Sequence, residues 1–261
     1  MNRISNVFVG KKAFIAFITG GDPDIETTEK LILTMVEFGV DIIEIGIPFS
    51  DPVAEGIVIQ EADERALKAG CTVDKLFDMV KRVRSKTTIP LLFMSYINPI
   101  FVYGKERFME RCKSCGIDGI IVPDLPYEEK GEISGECARF GITQIFMIAP
   151  TSQERIETIV SNAEGFVYCV SSLGVTGVRG EIDMGMADIV ERAKEISSAP
   201  CAIGFGISTP EQAREMVCIS DGVVIGSAIV KLVAAYGKDC VEPVMQYVRE
   251  ISEALADPAV Y

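Results

Sequence analysis

Two carboxylates stand where such groups are costly unless they are put to use. Glu44 lies inside the apolar run DIIEIGIP (41–48), among Ile42, Ile43, Ile45 and Ile47, and Glu55 follows in the loop SDPVAEG (50–56). A lone charged side chain in an apolar run costs several kcal/mol unless it is paired or does chemistry. The first would project from a rigid strand and the second from a loop, so the pair could converge on one pocket as general acid and base. The chain has no histidine, which removes Ser-His-Asp and Cys-His machinery and His-ligated zinc. Proton transfer is left to carboxylates, Lys, Tyr, Cys or backbone groups. Eight cysteines are scattered along the chain, with Cys169 and Cys201 in apolar runs where a free thiol packs as a small hydrophobe. Cys112 and Cys115 form a CxxC with no second CxxC after it; this reads as a reduced pair, and no metal site is expected.

The elements that position these groups recur along the chain. Apolar runs lie at 13–19, 41–48, 90–96, 118–125, 143–149, 165–171, 200–207 and 221–229, and most are followed by a helical pattern, such as 26–40 or 186–197. Eight strand–helix units with no hairpin signal point to a parallel sheet closed on itself, a single-domain (β/α)8 or TIM barrel over residues 1–261. A doubly wound open sheet is the structural alternative. The spacing leaves long loops after strands 2 and 6, the first followed by a short helix around 60–69 and a regular one over 73–83. Long loops of this kind belong to the C-terminal face, where such barrels keep their active sites, and these two are candidate lids. GFGIS (204–208) after strand 7 and IGSAIV (225–230) after strand 8 place small residues where helices begin, a pattern suited to holding a phosphate on backbone N–H groups.

With 38 acids against 25 bases the net charge is −13, which disfavours nucleic acid and anionic membranes as partners. No apolar run is long enough to span a membrane and the first residues lack a signal-peptide cleavage pattern, so a cytoplasmic protein is expected.

The motifs ITGGDPD (18–24), EIGIPFSDPVAEG (44–56), SYINPI (95–100), VPDLPYEE (122–129), IAPTS (148–152), SLGVTGVRG (172–180), GFGIS and IGSAIVK (225–231) run in order across nearly the whole chain. On these the chain resembles the α subunit of tryptophan synthase. The resemblance implies a lyase that cleaves indole-3-glycerol phosphate to indole and glyceraldehyde 3-phosphate by a retro-aldol step. It implies no cofactor in this chain. It also implies a β-subunit partner, in an α2β2 complex, that joins the indole to serine with its own pyridoxal phosphate. Carried over by position, Glu44 is the acid–base glutamate and Glu55 the second catalytic carboxylate. Phe17, Tyr96, Tyr168 and Phe205 line the indole pocket, and Thr176 positions a catalytic carboxylate. Gly177, Gly206, Gly226 and Ser227 cradle the phosphate, and Asp51, Pro52, Asn98, Pro99, Asp124 and Pro126 face the partner. One departure stands out: the family pattern SDPxADGPxIQ has Asp where this chain has Glu55, and Pro where it has Ile57. A carboxylate one methylene farther out is displaced by roughly 1 Å, a change that can cost about a hundredfold in rate. A weakly catalytic protein that binds the substrate and mainly activates a β partner is therefore the alternative. A phosphate-binding isomerase or aldolase of another kind is a third; a Schiff-base aldolase would need a strand lysine, and Lys11 and Lys12 precede the first strand.

Overall fold

A computed structural model describes residues 3–152, 154–170, 184–204 and 206–256. The strands are β1 (Ala13–Thr19), β2 (Ile42–Gly46), β3 (Leu91–Met94), β4 (Gly119–Ile121), β5 (Thr143–Ile148), β6 (Val167–Val170), β7 (Cys201–Gly204) and β8 (Gly222–Ile225). All pair in parallel in chain order and β8 closes on β1, so the sheet is a closed barrel and the open-sheet alternative falls away. The helices are α1 (Arg3–Val7), α2 (Ile25–Glu37), α3 (Ile57–Lys68), α4 (Val73–Arg84), α5 (Ile97–Tyr103), α6 (Lys105–Cys115), α7 (Gly131–Phe140), α8 (Ile156–Val160), α9 (Met184–Ile196), α10 (Pro210–Ile219), α11 (Ser227–Tyr236) and α12 (Val241–Ala256). Their ends follow local chemistry. Asp24 accepts the Thr27 N–H to start α2, and Thr72 accepts from Lys75 to start α4. Gly116 and Gly141, in the left-handed conformation, stop α6 and α7.

Alternation along the strands sorts the side chains into two cores. One face packs against the helices and holds Ile43, Ile45, Phe93 and Ile203, together with Cys112, Cys115, Cys169 and Cys201. These four cysteines are free and buried. The other face fills the barrel with Ala13, Ile15, Ile42, Leu92, Ile121, Ile145, Tyr168, Ala202 and Val224. Ile4 of α1 is fully buried within this inner core and closes its lower end beneath Gly119 and Gly165. The strand-to-helix connection after β2 spans residues 47–56, the long loop expected there. The loop expected after strand 6 lies outside the described residues.

Candidate active site

The inward-facing position of β2 is occupied by Glu44, paired in register with Phe17 on β1 and Leu92 on β3. It is 0% exposed, and neither carboxyl oxygen has a hydrogen-bond partner among the described residues. Burial pushes this carboxyl up to about 8, so it holds its proton at neutral pH. Tyr168, inward on β6, is its electrostatic neighbour; burial first and then the Glu44 charge raise the Tyr168 hydroxyl. The aromatic rings near Glu44 fit because small residues face them. A Cβ on Gly46 would stand 2.7 Å from the Phe17 ring, one on Gly226 3.0 Å from it, and one on Gly204 2.6 Å from the Tyr168 ring. Phe17 also joins Ile59 and Ala62 of α3, Val230 of α11 and Met94 of β3 in a small apolar cluster, a wall suited to a flat aromatic ligand.

Glu55 sits in the loop that leads into α3 and is half-buried. Its Oε2 accepts the Tyr96 hydroxyl at 2.8 Å, and the same hydroxyl accepts the Ala54 N–H at 2.9 Å. Burial raises the Glu55 carboxyl, the Tyr96 bond opposes that, and the Asp124 charge adds to it. Tyr96 thus clamps the carboxylate and the adjoining backbone together, instead of acting only as a pocket wall. Glu44 and Glu55 share no hydrogen bond; one comes from the barrel wall and the other from the loop after β2.

Of the residues expected to hold a phosphate, Gly226 immediately precedes α11, which opens at Ser227 with no side chain capping its first turn. Its N–H groups are therefore suited to an anion. Gly206 is different. It has φ 79 and open space where a Cβ would be, but α10 starts only at Pro210, behind a capping box made by Thr209 and Gln212. Gln212 also takes the Ser208 and Thr209 N–H groups, so Gly206 offers its own backbone, not a free helix end. Thr176, Gly177 and Phe205 lie outside the described residues.

Asp51 and Asn98 are exposed at the ends of β2 and β3, with Pro52 and Pro99 half-buried beside them. Asp124 turns back to accept the Ile97 N–H at 2.9 Å, while Pro126 is exposed. The same face carries bare apolar side chains, with Val53 80%, Ile57 64% and Val102 81% exposed and Phe101 also open. A cavity of about 280 Å³ opens at the ends of β4 and β5, between Asp124, Tyr127, Met147 and Arg155. Neither Glu44 nor Glu55 lines it. Sequence reasoning missed Asp63, a buried acid on α3. The signal was present: it is the one charged residue on the stripe Ile59, Ala62, Asp63, Ala66.

The family model described as tryptophan synthase alpha chain matches residues 6–256. The tryptophan synthase alpha chain of Thermoanaerobacter sp. (strain X514) is 45% identical over 262 residues, covering 98% of this chain and 100% of its own. Among solved structures, tryptophan synthase subunit alpha from Legionella pneumophila str. Paris superposes with a TM-score of 0.90 at 34% identity, covering 98% of this chain and 99% of that one. A structure of the tryptophan synthase a2b2 complex from Pyrococcus furiosus gives 0.87 at 38% identity, over 92% of this chain and 98% of that one.

Proposed function

Because the chain belongs to the tryptophan synthase alpha chain family, we propose that Glu44 and Glu55 divide the proton chemistry of its retro-aldol cleavage of indole-3-glycerol phosphate. The observation that carries this is Glu44 itself, a fully buried carboxyl with no hydrogen-bond partner among the described residues, held in its neutral form by burial. A neutral carboxyl can donate to indole C3, where the carbon–carbon bond breaks. The carboxylate left behind takes the proton of the glycerol hydroxyl as the aldehyde forms. The proton balance on Glu44 closes over one turnover. Glu55, acting ionised, accepts the indole N–H as the ring gains iminium character. The Tyr96 bond gives the longer Glu55 side chain a defined seat, which favours a working second carboxylate over a handicapped one.

Phe17, Tyr168 and the apolar cluster around Met94 and Val230 form the indole walls, with Tyr96 at the loop side. Gly226, Ser227 and Gly206 offer backbone N–H groups to the phosphate. Phe205, Thr176 and Gly177 complete the pocket in this reading on resemblance alone. The chain works without a cofactor of its own, in the cytoplasm. No helix among the described residues is long and apolar enough to cross a membrane. Its partner is a tryptophan synthase β subunit, which receives the indole and uses pyridoxal phosphate. The exposed Val53, Ile57, Phe101 and Val102, beside Asp51, Pro52, Asn98 and Pro99, give that partner an apolar surface on the face where the pocket opens.

The test is indole release from indole-3-glycerol phosphate by the purified chain, alone and with the β subunit, for wild type, Glu44→Gln and Glu55→Gln. Turnover that rises with the β subunit and drops in both variants is expected. Wild-type turnover in Glu44→Gln would overturn the assignment.

A further inference from the structure

Asp63 takes no part in the proton transfers above, yet its place is an unusual one for an acid. It lies on the inward stripe of α3 and is 4% exposed. The nearest cation on its own helix, Arg65, is committed through two bonds of 2.9 and 2.8 Å to Asp22. Instead Asp63 reaches the point where the chain leaves β2: its Oδ2 accepts the Phe49 N–H at 3.4 Å. The Phe49 ring lies 5.3 Å from the Tyr96 ring, and the Tyr96 hydroxyl holds both the Ala54 N–H and Glu55. These contacts form one chain from helix to carboxylate: the Asp63 carboxyl, the Phe49 amide, the Phe49 ring, the Tyr96 ring and hydroxyl, and Glu55.

We propose that Asp63 is a positioning residue for Glu55, anchoring the root of the 47–56 loop to α3 and thereby setting where the Tyr96 hydroxyl holds the catalytic carboxylate. This rests on the reading of Glu55 given above. The anchor is also electrostatic. Glu55 faces Asp63 from the loop, and Asp22 faces it from the turn after β1, next to Arg65. Tyr96 faces it from the start of α5, Cys71 from the turn after α3 with Lys75 beyond, and the Thr19 hydroxyl from β1. Burial first, then the Glu55 charge, push Asp63 up to about 7, so ionising either acid makes the other harder to ionise.

The experiment measures kcat and KM for indole formation in the αβ complex between about pH 5 and 9 for wild type, Asp63→Ala, Asp63→Asn and Glu55→Gln. Asp63→Ala, which loses the anchor, is expected to drop kcat about tenfold with little change in KM. Asp63→Asn keeps an acceptor for the Phe49 N–H and is expected to restore most of that loss. The coupling is read from the other side: in Glu55→Gln the Asp63 carboxyl, followed by NMR in protein labelled at aspartate, is expected to titrate below its wild-type midpoint of about 7, because the Glu55 charge no longer raises it. Wild-type kcat in Asp63→Ala, kcat in Asp63→Asn as low as in Asp63→Ala, or an Asp63 midpoint in Glu55→Gln unmoved from wild type would each overturn the proposal while Glu55→Gln remains slow. Wild-type turnover in Glu55→Gln would overturn the reading beneath it, and the proposal with it. Should Asp63→Ala fail to fold, the Asp63 midpoint in Glu55→Gln decides alone.

Discussion

The lower end of the barrel pairs its aspartates with cations, and the upper end leaves three acids without one. At the lower end three aspartates, Asp41, Asp118 and Asp221, each stand just before a strand and accept an N–H near the start of the neighbouring one, from Phe14, Leu91 and Cys201 respectively. Each also meets a cation: Lys11 for Asp41, Arg84 and Arg3 for Asp118, and Lys194 for Asp221. At the upper end Asp22 is paired with Arg65, but Glu44 has no partner among the described residues, Glu55 has a tyrosine and Asp63 a distant amide. Paired acids tie strands together; the unpaired ones are held in protonation states that can change, which is what proton transfer requires.

That contrast is sharpened most by Glu44→Gln. It should cut indole formation about a thousandfold, within the range for loss of a general acid–base, while making the fold more stable above neutral pH. The sign follows from linkage. Glu44 ionises near 4.5 when unfolded and near 8 when folded, so between those values the native state binds more protons, and stability falls as pH rises through that window. Removing the acid removes the slope, which denaturant titrations at several pH values would read. At the other end, Arg84→Ala leaves Asp118 with only the more exposed Arg3 and deprives the Gly116 and Ile89 carbonyls of their donor. A loss of about 3 kcal/mol in stability is expected, typical of a broken buried pair, with kcat of the folded enzyme unchanged; a matching fall in kcat would blur the division between the ends.

Glu55→Asp probes the loop. The Tyr96 bond is fitted to a glutamate, and a carboxylate drawn back by roughly 1 Å should lose about tenfold in kcat. A gain instead would mean that the loop is built for Asp and that Glu55 is a handicap. The mildest effect belongs to Val102→Asp, on the exposed apolar surface: a few-fold weaker stimulation by the β subunit, measured by titrating it against a fixed amount of this chain, with the unstimulated rate unaltered.

Much of this was legible in the chain. Short runs rich in Val and Ile announce all eight strands, and Glu44 declares itself by interrupting one of them. Strand ends were read too long, as at 118–125 against Gly119–Ile121, because apolar residues continue into turns that bury them without pairing. Helix α5 over Ile97–Tyr103 went unseen, since Pro99 in its first turn reads as a loop residue but is tolerated there. Asp63 is harder to see for a related reason: α3 begins at Ile57, before the helix expected from residue 60, so Ile59, the large apolar residue that opens its inward stripe, falls outside that helix. The glycines that make room for Phe17 and Tyr168, and the ion pairs of the lower end, join residues far apart in sequence and became visible only with strand register.

The claim that Glu44 carries its proton at neutral pH is tested most directly by titrating its side-chain carboxyl carbon by NMR in the intact protein labelled at glutamate, with Glu44→Gln to assign the signal. A midpoint near 8 is expected. A midpoint near 4.5, the ordinary glutamate value, would mean an ionised Glu44 at neutral pH and would contradict its role as the donor to indole C3.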